Sequence, residues 1–184
     1  MPATTVKVMG ILAGKNIVVT GILTEASLAF GVAQLAQREG ATVLLTGAGR
    51  GLSITERTAR KLDTPAHVVE FDVTVADHVA SAREAARTHL GRVDGVLHSI
   101  GFAPASCLGD DFMAPQWADV SVAMEISAYS LKTLAESFVP LMRNGGAFVG
   151  LDFDNTVAWP AYNWMGVAKA ALEATNRYLA KELG

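Results

Sequence analysis

A chain of 184 residues fits one domain, and with 51% hydrophobic and 18% charged residues it is too apolar to be intrinsically disordered. Its formal net charge of -3, with no basic block, offers nothing to nucleic acid or an anionic membrane surface. The lone Cys107 closes no internal disulfide and suits a reducing cytoplasm, residues 1–10 lack the apolar core of a secretory signal, and no run of about 18 apolar residues spans a bilayer.

In chain order, a short apolar run at 16–20 predicts a buried strand, and 27–39 a helix. A strand at 41–46, a helix at 52–62, a strand at 67–71 and a helix at 76–90 follow. A strand at 95–99 leads to a long helix at 117–142, then a strand at 147–151 and a last helix at 162–183. Gly40 and Gly91 stand where helix C-caps are expected. Strands alternating with helices imply parallel pairing through right-handed crossovers, hence a doubly wound α/β sheet over 1–184. No repeat, linker or low-complexity tract interrupts it.

The first strand runs into Gly21-Ile-Leu-Thr-Glu-Ala-Ser27-Leu28. A glycine at the first βα turn lets the backbone approach a ligand, and the next helix start offers free N–H groups to a pyrophosphate. The second and third glycines of the usual fingerprint are missing, and an ordinary strand–turn–helix explains the pattern about equally well. Ser27 has a hydroxyl able either to cap the helix or to bind phosphate. Gly47-Ala-Gly49-Arg-Gly51 looks more glycine-rich, but it follows the second strand, where a dinucleotide fold reads the adenosine ribose. That loop has no acidic residue, and Arg50 is compatible with a 2′-phosphate, so these residues leave NADH and NADPH both open.

Tyr162 and Lys169 lie seven helical steps apart, about 700° of turn, and would share one helix face. A phenol beside an ammonium suits reduction: the tyrosine donates to a developing oxyanion while the lysine holds ribose hydroxyls. A packed tyrosine and a solvated lysine would give the same pattern. The usual short-chain dehydrogenase motif is Tyr-x-x-x-Lys with a serine upstream. Here Gly166 takes the lysine position and Val149 lies near the serine position, which disfavours an NADPH-dependent carbonyl reductase.

Together these segments resemble the enoyl-acyl carrier protein reductases, most of all the mycobacterial type, within the short-chain dehydrogenase/reductase superfamily. The resemblance rests on the Gly21–Ser27 turn, Asp72-Val73, His98-Ser-Ile-Gly-Phe102 and Ile126-Ser-Ala-Tyr-Ser130. Its most specific part is Asp152-Phe-Asp154 with Pro160-Ala-Tyr-Asn-Trp-Met165 and Val167-Ala-Lys169. It implies a Rossmann-type fold in which five strands are present and the family's last two, with its substrate lid, are missing. It also implies that Gly21, Ile22, Ser27 and Leu28 cradle the pyrophosphate, and that Asp72 and Val73 flank the adenine. Ser99, Ile100 and Gly101 would line the path to the nicotinamide, with Ile126 and Asp152 packed near that end. Lys169 would grip the nicotinamide ribose, Phe153 and Tyr162 would face the acyl thioester, and Met165 would lie on the substrate wall.

The implied reaction is NADH-dependent reduction of a trans-2-enoyl thioester on acyl carrier protein or CoA, by a cytoplasmic homotetramer in fatty acid or mycolic acid elongation. Ala48 departs from the family, whose bulkier residue covers the adenine. The alternative is a catalytically inactive remnant serving at most as a nucleotide-binding or assembly module. No His or Cys cluster joins Asp110, Asp111, Asp152 and Asp154 to suggest a metal site, and solvated loop carboxylates explain them. His98 reads as a packed or hydrogen-bonded histidine, Cys107 as a spectator thiol, and Trp117, Trp159 and Trp164 as core or interface.

Overall fold

The computed structural model describes residues 10–184, so the segment 1–9 that was read for a secretory signal lies outside it. Strands β1 (Asn16–Val19), β2 (Thr42–Gly47), β3 (His67–Glu70), β4 (Gly95–His98) and β5 (Ala147–Gly150) form one five-stranded sheet. Its order is β3-β2-β1-β4-β5 and every pairing is parallel, with Val18 opposite both Leu44 and Val96. The chain winds outward from β1 to β3, then returns to place β4 on the other side of β1. The segments that leave β1 and β4 therefore run to opposite faces of the sheet, leaving between them a crevice where open α/β sheets bind ligands.

Successive strand residues face opposite sides, and both sides of the sheet centre are covered. On one side Val18, Leu44 and Val96 pack with Ala82 and Ala86 of α3 (Ala76–Leu90) and Leu134 and Phe138 of α5 (Ser130–Phe138). On the other, Val19, Val43, Leu45 and Leu97 meet Ala29, Phe30 and Ala33 of α1 (Leu28–Arg38), with Ala59 of α2 (Leu52–Ala59). Burying each Val or Leu side chain stabilises the fold by about 1.5–3 kcal/mol, which fixes the register of these short strands. Helix α6 (Asn163–Leu183) packs beside α5 through Leu172, against Ala128 and Leu131. Gly40 and Gly91 follow α1 and α3 with φ of +91° and +74°, as expected of helix ends.

The stretch 117–142 is not one helix. Helix α4 (Trp117–Met124) passes into a π-helical turn, Glu125–Tyr129, before α5, and Val139–Leu141 closes as a 3₁₀ turn containing Pro140. Proline lacks the N–H that a continuing helix needs. The second helix likewise stops at Ala59 rather than at 62. No helix among the described residues is long and apolar enough to cross a membrane.

Candidate active site

The crevice is a cavity of about 340 Å³ at the carboxyl ends of β1, β2, β3 and β4. Gly21, Ile22, Asp72, Val73, Ser99, Ile100, Gly101 and Ile126 all line it, from segments far apart in sequence. Gly47, Ala48 and Gly51 line it as well, so the second glycine loop belongs to the same crevice as the first turn. Among the described residues, Asp72 is its one titratable lining residue. The Asp72 carboxylate accepts from the Thr74 N–H (3.0 Å) and hydroxyl (2.7 Å), and its own N–H donates to His78 Nδ1 at 2.9 Å.

Gly21 takes φ +79°, and a Cβ built on it would lie 1.8 Å from the Ser99 carbonyl oxygen. The close approach of turn to β4 thus requires glycine on two counts. Beyond it, the Ser27 hydroxyl accepts from the Leu23 and Thr24 N–H groups at 3.1 and 3.0 Å. It ties up the turn and leaves the start of α1 without a side-chain cap or an acidic residue. Leu28 is 76% exposed at that start. Helix α2 braces the turn from behind, Thr55 donating to the Ile22 carbonyl (2.6 Å) and Thr58 to the Leu23 carbonyl (2.9 Å).

Lys169 reaches from α6 to the far end of the crevice. Its Nζ donates to the Leu151 carbonyl at 2.8 Å, and a Cβ on Gly101 would sit 3.9 Å from its Cε. Burial lowers the Lys169 pKa, and the Asp152 carboxylate opposes that shift. His98, fully buried at the end of β4, lies beside it. The Ser130 hydroxyl donates to the Ile126 carbonyl (2.7 Å), so it accepts from His98 Nε2–H (2.7 Å). Burial, with the nearby Lys169 charge, pushes the His98 pKa down to about 4, and the ring is neutral at pH 7.

A second cavity, about 700 Å³, is lined by Phe153, Tyr162, Asn163, Gly166 and the segment before them. The rings of Phe153 and Tyr162 stack with centroids 4.3 Å apart. Tyr162 is not inside the last helix: it is the residue before it, between Ala161 at φ +64° and Asn163 at φ +46°. Non-glycine residues rarely adopt this left-handed backbone, so it marks a strained turn presenting the tyrosine. Lys169 comes within 4.0 Å of where a Gly101 side chain would begin, from the helix whose Gly166, Val167 and Ala170 line the second cavity.

The family model described as enoyl-(acyl carrier protein) reductase matches residues 21–184. The chain belongs to that family. It is 46% identical to an NADH enoyl-acyl-carrier-protein reductase of Mycolicibacterium smegmatis and 42% identical to one of Mycobacterium avium, over 95% of this chain in each case. It is also 36% identical, over 94% of the chain, to an enoyl-acyl-carrier-protein reductase of Staphylococcus aureus named for NADPH. The chain spans 66% of the length of the two mycobacterial reductases and 69% of the staphylococcal one.

Within this member of the reductase family, some site candidates fall outside the two cavities. Met165 packs with Trp164 and Met124 against Ala103, Cys107, Val120 and Ala123. Cys107 is fully buried there, while Trp117 and Trp159 are exposed rather than core. Ser27 and Leu28 border the first turn without lining the crevice. Sequence reasoning missed Thr20, Thr55, Thr58 and Ser127, whose hydroxyls bond across the fold. Each is a buried hydroxyl in or beside a motif, a pattern the sequence alone cannot tell from ordinary core.

Proposed function

We propose that this chain forms a single NAD(P)-binding domain, residues 1–184, that carries the cofactor and catalytic groups of an NADH-dependent enoyl-thioester reductase. The observation that carries this reading is the crevice between β1 and β4, lined by Gly21 at the first turn and by Gly101, behind which the Lys169 side chain lies. Its small residues, exposed backbone and uncapped α1 N-terminus fit a pyrophosphate-linked dinucleotide. Asp72 and Val73 would take the adenine, Gly21, Ile22, Ser27 and Leu28 the pyrophosphate, and Lys169 the nicotinamide ribose. Ser99, Ile100, Gly101, Ile126 and Asp152 would shape the nicotinamide end. NADH named for the two mycobacterial relatives supports NADH over NADPH.

When bound, NADH supplies hydride for the β-carbon of a trans-2-enoyl thioester. Tyr162, aromatic partner of Phe153 in the larger cavity, would donate to the thioester oxygen as charge builds there. Such a donor accelerates the reaction only if it is aimed at the enolate rather than the ground-state carbonyl. Phe153, which lines the larger cavity, would supply apolar surface for an acyl chain, whereas Met165 is taken up by the cluster around Cys107. The substrate would be a thioester of acyl carrier protein or CoA in fatty acid or mycolic acid elongation, handled by a cytoplasmic homotetramer. Loss of NADH absorbance on adding a long-chain trans-2-enoyl thioester to the purified chain tests this. No oxidation and no NADH binding would instead favour an inactive remnant.

A further inference from the structure

The crevice wall from Ser99 to Phe102 is pinned at both ends by buried hydroxyls. At one end Thr20, fully buried at the end of β1, donates to the Leu97 carbonyl and accepts from the Ser99 N–H, both at 2.9 Å. At the other, Ser127, fully buried in the π-helical turn, accepts from the Phe102 N–H at 2.9 Å and donates to the Phe102 carbonyl at 2.8 Å. One hydroxyl thus satisfies both backbone groups of one residue. Between the pins lie Ile100 and Gly101, both lining the crevice. A Cβ at Gly101 would be about equally close to Lys169 Nζ and Ser127 Oγ, 4.0 Å from each.

The π-helical turn explains how one helix serves several partners here. Within it Ile126 lines the crevice, Ser127 holds Phe102, and the Ile126 carbonyl is taken up by Ser130. Such bulges inside α-helices recur at functional sites because the extra residue re-aims neighbouring side chains. The adenine end, by contrast, is built from Asp72, Val73 and the β2 loop, and neither pin touches it.

We propose that Thr20 and Ser127 are positioning residues that hold the 99–102 strip against Lys169, setting the nicotinamide end of the crevice independently of the adenine end. This rests on the reading of the crevice as a dinucleotide site. A hydroxyl is needed at each pin because it must donate and accept at once; a methyl group of the same size does neither and leaves Ser99 or Phe102 backbone groups unpaired.

The test compares Ser127→Thr with Ser127→Val, which share a shape and differ only in the hydroxyl, and Thr20→Val, isosteric with the native residue. Binding of NADH and of ADP, which lacks the nicotinamide half, is measured by titration on folded protein. The proposal expects each valine variant to bind NADH roughly tenfold more weakly, with Ser127→Thr closer to native and ADP affinity changed less than about twofold. Equal NADH affinity in Ser127→Thr and Ser127→Val would overturn it. Parallel weakening of NADH and ADP would also overturn it, by assigning the hydroxyls a general structural role. The same holds if both valine variants fail to fold while Ser127→Thr folds. A native chain that binds neither ligand would refute the dinucleotide reading itself, a result distinct from all of these.

Discussion

Gly21 and the Ser99 carbonyl oxygen lie so close that a methyl group on Gly21 would come within 1.8 Å of that oxygen. The contact joins the end of β1 to the end of β4, where the strand order switches, and so shapes the mouth of the crevice. Gly21→Ala adds a left-handed backbone penalty to this overlap, and the β1 and β4 ends must part to admit it. The variant is expected to lose about 1–3 kcal/mol of stability and to bind NADH at least roughly tenfold more weakly. Denaturant unfolding and an NADH titration check this. Unchanged affinity would mean the turn does not approach the ligand.

His98 gives a pH signature of folding. Its pKa falls from the ordinary 6.5 to about 4 in the folded chain, so between those values the unfolded state holds a proton that the folded state lacks. Stability therefore rises with pH across that window and is lost on acidification, by up to about 3 kcal/mol from this group. Comparing native protein with His98→Gln separates it from the carboxylates, which titrate in both. The native chain should lose more stability between pH 7 and pH 4; identical slopes would show that His98 is not held neutral.

Tyr162→Phe keeps the ring stacked on Phe153 and removes only the hydroxyl. Turnover of an enoyl thioester should fall roughly 100- to 1,000-fold, the usual loss for one oxyanion donor, while NADH affinity stays within about twofold. Steady-state kinetics beside a binding titration separate the two. Undiminished turnover would remove the phenol from the chemistry.

The five parallel strands were legible in the sequence because short apolar runs between turns have few alternatives once helices alternate with them, whereas the strand order was not read and the crevice residues were implied only by the family resemblance. Asp72, Ser99 and Ile126 are far apart in the chain, yet each sits in or beside a motif, and the sheet brings them together. The π-helical turn at Glu125–Tyr129 was not legible, because apolar spacing continues through one inserted residue and reads as unbroken helix. The roles of Thr20, Thr55 and Ser127 depend on hydrogen bonds spanning long stretches of chain, which no local pattern encodes. Tyr162 looked like the first turn of a helix, and only backbone dihedrals place it ahead of α6. Met165, placed on a substrate wall by the family resemblance alone, packs instead into the cluster around Cys107.

Ala48 lines the crevice where a larger side chain could cover an adenine. Ala48→Phe should therefore tighten NADH binding about two- to tenfold, in line with about 0.5–1.5 kcal/mol for an aromatic stack. Calorimetric titration of both proteins checks it. Unchanged or weaker binding would place the adenine elsewhere.

The most direct test of the account is the fate of deuterium from NADH deuterated at the transferable position of the nicotinamide, incubated with the purified chain and a trans-2-enoyl thioester. The account predicts a saturated thioester with deuterium on the β-carbon and a solvent proton on the α-carbon. A saturated product without deuterium, or no saturated product from a chain that binds both NADH and thioester, would contradict it.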